Sequence, residues 1–194
     1  MGEKLPNWTS VPSAVANELT QESKHAVSLV DGLAQDATAA LFDTYGVTVE
    51  QDGPVAAKGL QATPLVSIIG FSSNALSGSL ILALPQAVAE RTLPVAGASL
   101  ADWSGELANQ LLGRLKNQLL KYQVVINMSL PVVVCGDALK LLATARQITR
   151  YYSFSSELGK VFIRLDMEMD STLMLVPKND EARGCIDEGE LLLF

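Results

Sequence analysis

The chain has 194 residues, about one domain's worth at roughly 150 residues per domain. Apolar residues make up 48% and charged residues 18%, enough for a sizeable core and too apolar for a disordered chain. The net charge of −7 argues against a nucleic-acid surface and against docking to anionic lipid, both of which rest on clustered Lys and Arg.

Residues 1–22, with Pro6 and Pro12, read as an N-terminal arm. Residues 23–177 carry the domain, and residues 178–194 form an acidic tail ending in Leu191-Leu192-Leu193-Phe194. From about Glu22 to Tyr45 the positions Ala26, Leu29, Val30, Leu33, Ala37, Ala40 and Leu41 form one helical stripe. Gly46 closes that helix where a left-handed residue is wanted. Val47-Thr48-Val49 predicts a short strand. The runs Pro64 to Phe71 and Gly78 to Leu84 flank a small polar turn and predict a hairpin. Pro85 opens a short helix to about Leu93, and the longest helix follows from about Ser99 to Tyr122. Strands are expected at Val124–Met128 and Pro131–Val134. A second hairpin runs from Arg150 to Ser156 and from Lys160 to Met169, with Val161, Ile163, Leu165 and Met167 on one face. Leu173–Val176 reads as one more strand. Strands that cluster in hairpins predict an α+β domain, a largely antiparallel sheet with two long helices and a short one packed on it.

No stretch approaches the ~18 uninterrupted apolar residues of a membrane span, and the start MGEKLPNW is too polar for a signal peptide, so a cytoplasmic protein is expected. Cys135 and Cys185 are the two cysteines, and neither belongs to a C-x-x-C pair. A disulfide between them stays open, although a reducing compartment is the simpler reading. The single histidine, His25, would have to serve any Ser–His–Asp chemistry, and zinc sites with several His are excluded. Its position near the start of the first helix reads as a surface one. No Gly-rich phosphate loop follows a strand.

The longest helix carries the functional argument. At about 100° per residue, Leu107, Ala108, Leu111, Leu112, Leu115, Leu119 and Tyr122 share an apolar arc. Asp102, Glu106, Asn109, Gly113, Lys116 and Asn117 lie on the opposite side. Glu106 and Asn109 are three residues apart and rise next to each other, with Gly113 between them in angle. A glycine inside an exposed helix costs ~1 kcal/mol relative to Ala, and Gly105 repeats that cost. Clearance for another macromolecule would offset it; for Gly105, tight packing against a strand would do so equally well. Asp102 is also simply favourable at a helix N-terminus.

The string Asp102-x-x-x-Glu106-x-x-Asn109-x-x-x-Gly113, followed by Ser129-Leu130-Pro131, resembles the chemotaxis phosphatases of the CheC, CheX and FliY superfamily. So do the Gly78-Ser79-Leu80-Ile81-Leu82 strand, the short Pro85 helix and the later Tyr-rich hairpin. The resemblance covers about residues 25 to 170. CheC-type members carry a second motif on the first helix, whereas Asp31-Gly32-Leu33-Ala34-Gln35-Asp36-Ala37 has no E-x-x-N, so the chain is similar to the single-motif CheX type. The resemblance implies a CheC-like fold and a phosphatase acting on the aspartyl phosphate of a CheY-like receiver domain. It implies that Asn109 orients the attacking water, that Glu106 pairs with a receiver lysine, and that Asp102, Gly113 and Lys116 belong to the docking face. It implies no cofactor or metal of the chain's own, the divalent ion (Mg2+) being held by the receiver, and a homodimer. An acyl phosphate is already reactive, so positioning a water suffices, as the Gln of GTPases does. Two alternatives stand beside this reading. One is a non-catalytic module of the same fold, like the flagellar-switch proteins, that binds a receiver or switch partner. The other is an unrelated enzyme using Cys185 as nucleophile, which the flanking Asp187 and Glu188 disfavour.

Overall fold

The first helix begins where the sequence offers a cap. In the computed structural model, which describes residues 20–52, 65–95, 97–136, 148–170, 173 and 175–177, helix α1 spans Gln21–Thr44. The Thr20 side chain accepts from the Ser23 backbone N–H at 3.1 Å, satisfying one of the orphan donors of a helix start. The helix buries Ala26, Val27, Val30, Ala34, Ala37, Leu41 and Phe42. The expected stripe is therefore rotated slightly: Leu29 and Leu33 sit at its rim and Ala40 is exposed, as is His25. Gly46 adopts φ +67° and ends the helix as its position predicts. The arm before Thr20 and the tail after Pro177, with Cys185 and Leu191 to Phe194, lie outside the described residues.

Strand β1 is Glu50–Gln51, not the Val47–Val49 that composition predicts. The backbone N–H of Val47 is taken by the Phe42 carbonyl at 3.0 Å, and its side chain is buried in the core. Strands β2 (Leu65–Ser72) and β3 (Leu76–Leu84) form the first hairpin. Ser73 closes it, its hydroxyl accepting from the Leu76 N–H at 3.0 Å. Strand β4 is Asn127–Met128 and β5 is Val132–Cys135; both pair with β2. The strand expected over Val124–Met128 shrinks to its end because the Val124 N–H bonds the Leu119 carbonyl and Ile126 turns into the core. Strands β6 (Ile148–Ser156) and β7 (Gly159–Met169) make the second hairpin. The order is β1-β6-β7-β3-β2-β4, with β5 beside β4 on β2, and every pairing is antiparallel. Leu173 and Leu175 are buried without joining the sheet; the strand expected at 173–176 does not form among the described residues of that segment.

One face of the sheet is covered by α1, the short α2 (Gln86–Thr92, with Pro85 as its cap) and α3 (Leu100–Leu119). Leu65, Ile69 and Phe71 from β2, Leu80, Leu82 and Leu84 from β3, and Val161, Ile163, Leu165 and Met167 from β7 meet the helices there, which is the period-2 pattern of a strand. The C-terminal end of the predicted long helix is a 3₁₀ turn, Leu120–Tyr122, closed by Gln123 at φ 63°. The opposite face gathers Val66, Ile81 and Ala83 with Ile68, Tyr151 and Phe162. Arg164 and Asp166 are buried on it as an ion pair at 2.9 Å, and Thr149 donates to Asp166 at 2.7 Å.

At the margin of the sheet, Asp52 collects three donors: the hydroxyls of Ser153 at 2.5 Å and Ser155 at 2.6 Å, and Lys160 Nζ at 2.9 Å. These hydrogen bonds, the Ser153 one foremost, hold the carboxyl well below the usual carboxylate range. A depressed folded-state pKa contributes stability that is present above the unfolded value and is lost as pH falls toward the folded one. The stabilities of wild type and Asp52→Ala are therefore expected to converge as pH drops below about 4. Chemical denaturation across that range measures it, and a gap that stays constant would show that the ionised form plays no part.

Candidate functional site

The long helix is pressed against the sheet through small residues. A Cβ added to Gly105 would meet Val133 Cγ2 at 3.2 Å and Pro131 Cγ at 3.5 Å, and the hydroxyls of Ser104 and Ser67 share a buried hydrogen bond of 2.7 Å. Close packing on β5 thus accounts for Gly105. Gly113 is different: nothing lies within 4 Å of where its Cβ would be, so the helix carries open space there.

The apolar arc is buried as its spacing predicts, from Leu107 to Leu119, with Tyr122 at the rim. That leaves Asp102 and Glu106 exposed, and Asn109, Gly113 and Lys116 partly exposed. Of these five, Glu106 and Asn109 are brought together by a hydrogen bond. Asn109 Nδ2 donates to Glu106 Oε2 at 3.5 Å, the long limit for such a contact, so the carboxamide is barely committed. Asp102, Gly113 and Lys116 share the face without joining that pair. The backbone N–H of Asp102 bonds the Ser99 hydroxyl at 3.3 Å, which makes Asp102 a first-turn acidic residue of α3 as well as an exposed one.

Two further residues bear on the pair. Gln110 Nε2 donates to Glu106 Oε1 at 3.0 Å, and the Tyr45 hydroxyl donates to Gln110 Oε1 at 2.7 Å. Tyr45 stands edge-on to Trp103, ring centroids 5.5 Å apart at 89°, and Trp103 Nε1 donates to the Thr92 hydroxyl at 2.9 Å. Gln110 carried a readable signal, since Glu106 and Gln110 are four apart on one helix. Tyr45 carried none, because it meets Gln110 only through the packing of the end of α1 beside α3. Chemically, the ridge offers a carboxylate able to accept from a cation and, one turn away, a carboxamide able to orient a water.

The first helix presents no comparable pair. Asp31, where a second motif would lie, accepts from the Tyr152 hydroxyl at 2.6 Å and from Arg150 Nε at 3.2 Å. Burial pushes its carboxyl up, against the pull of both partners, and the Tyr152 hydroxyl is pushed up by burial and by Asp31. Asp31 ties α1 to β6. Cys135, at the end of β5, is exposed and free. Among the described residues no helix is long and apolar enough to cross a membrane.

Residues 65–153 match the family model of the chemotaxis phosphatase CheX. No curated protein matches the chain. Among solved structures, the chemotaxis protein CheX of Vibrio vulnificus is 20% identical with a TM-score of 0.62, over 72% of this chain and 96% of that one. A chain of the CheX–CheY–BeF3–Mg2+ complex from Borrelia burgdorferi is 14% identical, TM-score 0.57, over 71% and 96%. The FliM middle domain from H. pylori is 11% identical, TM-score 0.51, over 76% and 92%. At such identities the likeness speaks for the fold, which is α+β as its elements predict and CheC-like as the resemblance implies.

Proposed function

We propose that this chain, whose residues 65–153 match the CheX family model and whose fold is CheC-like, accelerates hydrolysis of the aspartyl phosphate on a CheY-like response-regulator receiver. The observation that carries this reading is the Glu106–Asn109 pair, standing out of the helix beside the open space over Gly113. Glu106 accepts from a receiver lysine and fixes how the two proteins meet. Asn109 enters beside the phosphorus and holds a water in line with the bond to be broken. The water oxygen bonds phosphorus, the bond from phosphorus to the aspartyl oxygen breaks, and inorganic phosphate leaves with the receiver carboxylate restored. Because the acyl phosphate is reactive, positioning carries the rate. The phosphoryl charge is met by the receiver's own divalent ion, Mg2+ in this reading, and the CheX–CheY–BeF3–Mg2+ complex of the Borrelia relative supports a receiver as partner. Asp102, Gly113 and Lys116 line the docking face. A cytoplasmic location and a homodimer belong to the same reading.

Phosphate release from a phosphorylated receiver, with and without the protein, tests it: release should quicken. Glu106→Ala is expected to lose about tenfold or more in receiver affinity, in line with deleting one partner of a charged hydrogen bond, and to slow release as well. A variant that binds normally and is only slow would contradict the docking role. The likeness to the FliM middle domain favours a second reading, a module that binds a receiver or switch protein without acting on it; receiver binding with no quickened release would select it.

A further inference from the structure

Glu106 sits on an exposed stretch of helix, where a glutamate ordinarily samples several rotamers. Here one of its two oxygens is spoken for. Gln110 Nε2 donates to Oε1 at 3.0 Å, while Oε2 faces only the 3.5 Å contact with Asn109. The Gln110 carboxamide cannot be turned round without setting its own oxygen against a carboxylate, so its amide points to Glu106 and its oxygen to Tyr45. The Tyr45 hydroxyl donates into that oxygen at 2.7 Å, and the Tyr45 ring is braced by Trp103, which is itself anchored on Thr92 of α2. The line Thr92, Trp103, Tyr45, Gln110, Glu106 therefore crosses three helices and ends on one carboxylate oxygen. Every member before Glu106 is neutral. The line restrains the carboxylate without cancelling the charge that a cation from a partner would seek.

We propose that Tyr45 and Gln110 are positioning residues that hold the Glu106 carboxylate ready for the receiver's cationic group, with Oε1 tethered and Oε2 left to accept. This rests on the receiver-phosphatase reading and extends it to residues outside the D-x-x-x-E-x-x-N string. The alternative is that the same bonds merely dock α1 on α3, and coupling to Glu106 separates the two.

The experiment uses the full chain with a phosphorylated receiver. Tyr45→Phe, which keeps the ring against Trp103, and Gln110→Ala are measured alone and each combined with Glu106→Ala. Either single variant is expected to raise KM about fivefold, the worth of one net hydrogen bond, with kcat changed by less than about twofold. In the Glu106→Ala background neither should change KM further, because the group they position is gone. Wild-type kinetics in both single variants, or the same fold-loss with and without Glu106, would overturn the proposal while leaving the phosphatase reading intact. If the wild-type chain fails to quicken release at all, that reading fails first. The line is then judged by the 1H–15N resonances of the Gln110 side-chain amide: they shift in both Tyr45→Phe and Glu106→Ala if it forms, and their indifference to either change overturns it.

Discussion

Asn109→Ala is expected to remove nearly all of the protein's acceleration of receiver dephosphorylation, by about 100-fold or more, while receiver binding stays within about twofold. The size follows from what deleting one preorganised polar group costs when that group acts mainly in the transition state. The selectivity follows from geometry. Among the described residues the Asn109 carboxamide makes one hydrogen bond, at 3.5 Å to Glu106, so its loss leaves neither a buried orphan nor a broken network there. Glu106 keeps its tether through Gln110, and the docking carboxylate survives the change. Rates of phosphate release, set beside a binding titration of the same receiver, check both halves. Turnover like that of the wild type would take Asn109 out of the mechanism.

Gly78→Ala is expected to cost about 3 kcal/mol or more, at the severe end for overpacking. A Cβ at this position of β3 would lie 1.9 Å from the Asp166 carbonyl oxygen and 3.1 Å from Met167 Cα of β7. Those are backbone atoms, so no rotamer change relieves the clash; the strands must part where Ser77 faces Glu168 and Ser79 faces Asp166. Denaturant unfolding measures the loss. Gly113→Ala is the internal control: with open space around it, it should gain up to ~1 kcal/mol from helix propensity alone. Equal stability of the two variants would mean that β3 and β7 do not meet as closely as described.

The two glycines of α3 show where sequence stops being informative. Gly105 and Gly113 both interrupt one helix, and nothing in their neighbours tells them apart. Val133 of β5 and Pro131 just before it fill the space against Gly105, and that docking is a tertiary fact. The long helices and the second hairpin were legible because their apolar positions repeat at 3.6 or at 2 over many residues, and the first hairpin because two apolar runs flank a small polar turn. Val47–Val49 had the composition of a strand, yet the end of α1 claimed its first amide; β4 and β5 owe their limits to pairing with β2. On the site, spacing alone placed Glu106, Asn109 and Gly113 on one face. What that face is for came from resemblance, and its support by Tyr45 came only from the fold.

The sheet's strand order carries a consequence for how the molecule is made. Each hairpin closes over a turn of a few residues, but the pairing of β3 with β7 joins Leu76 to Met169, with α2 and α3 lying between them in the chain. Loop closure over such a span is slow relative to hairpin formation. A nascent chain would thus hold the apolar edge of β3 without its neighbour until β7 has been synthesised, a stage at which unpaired edges invite association with other chains. The late hairpin thus completes the sheet both in its middle, against β3, and at its margin, where β6 takes up β1.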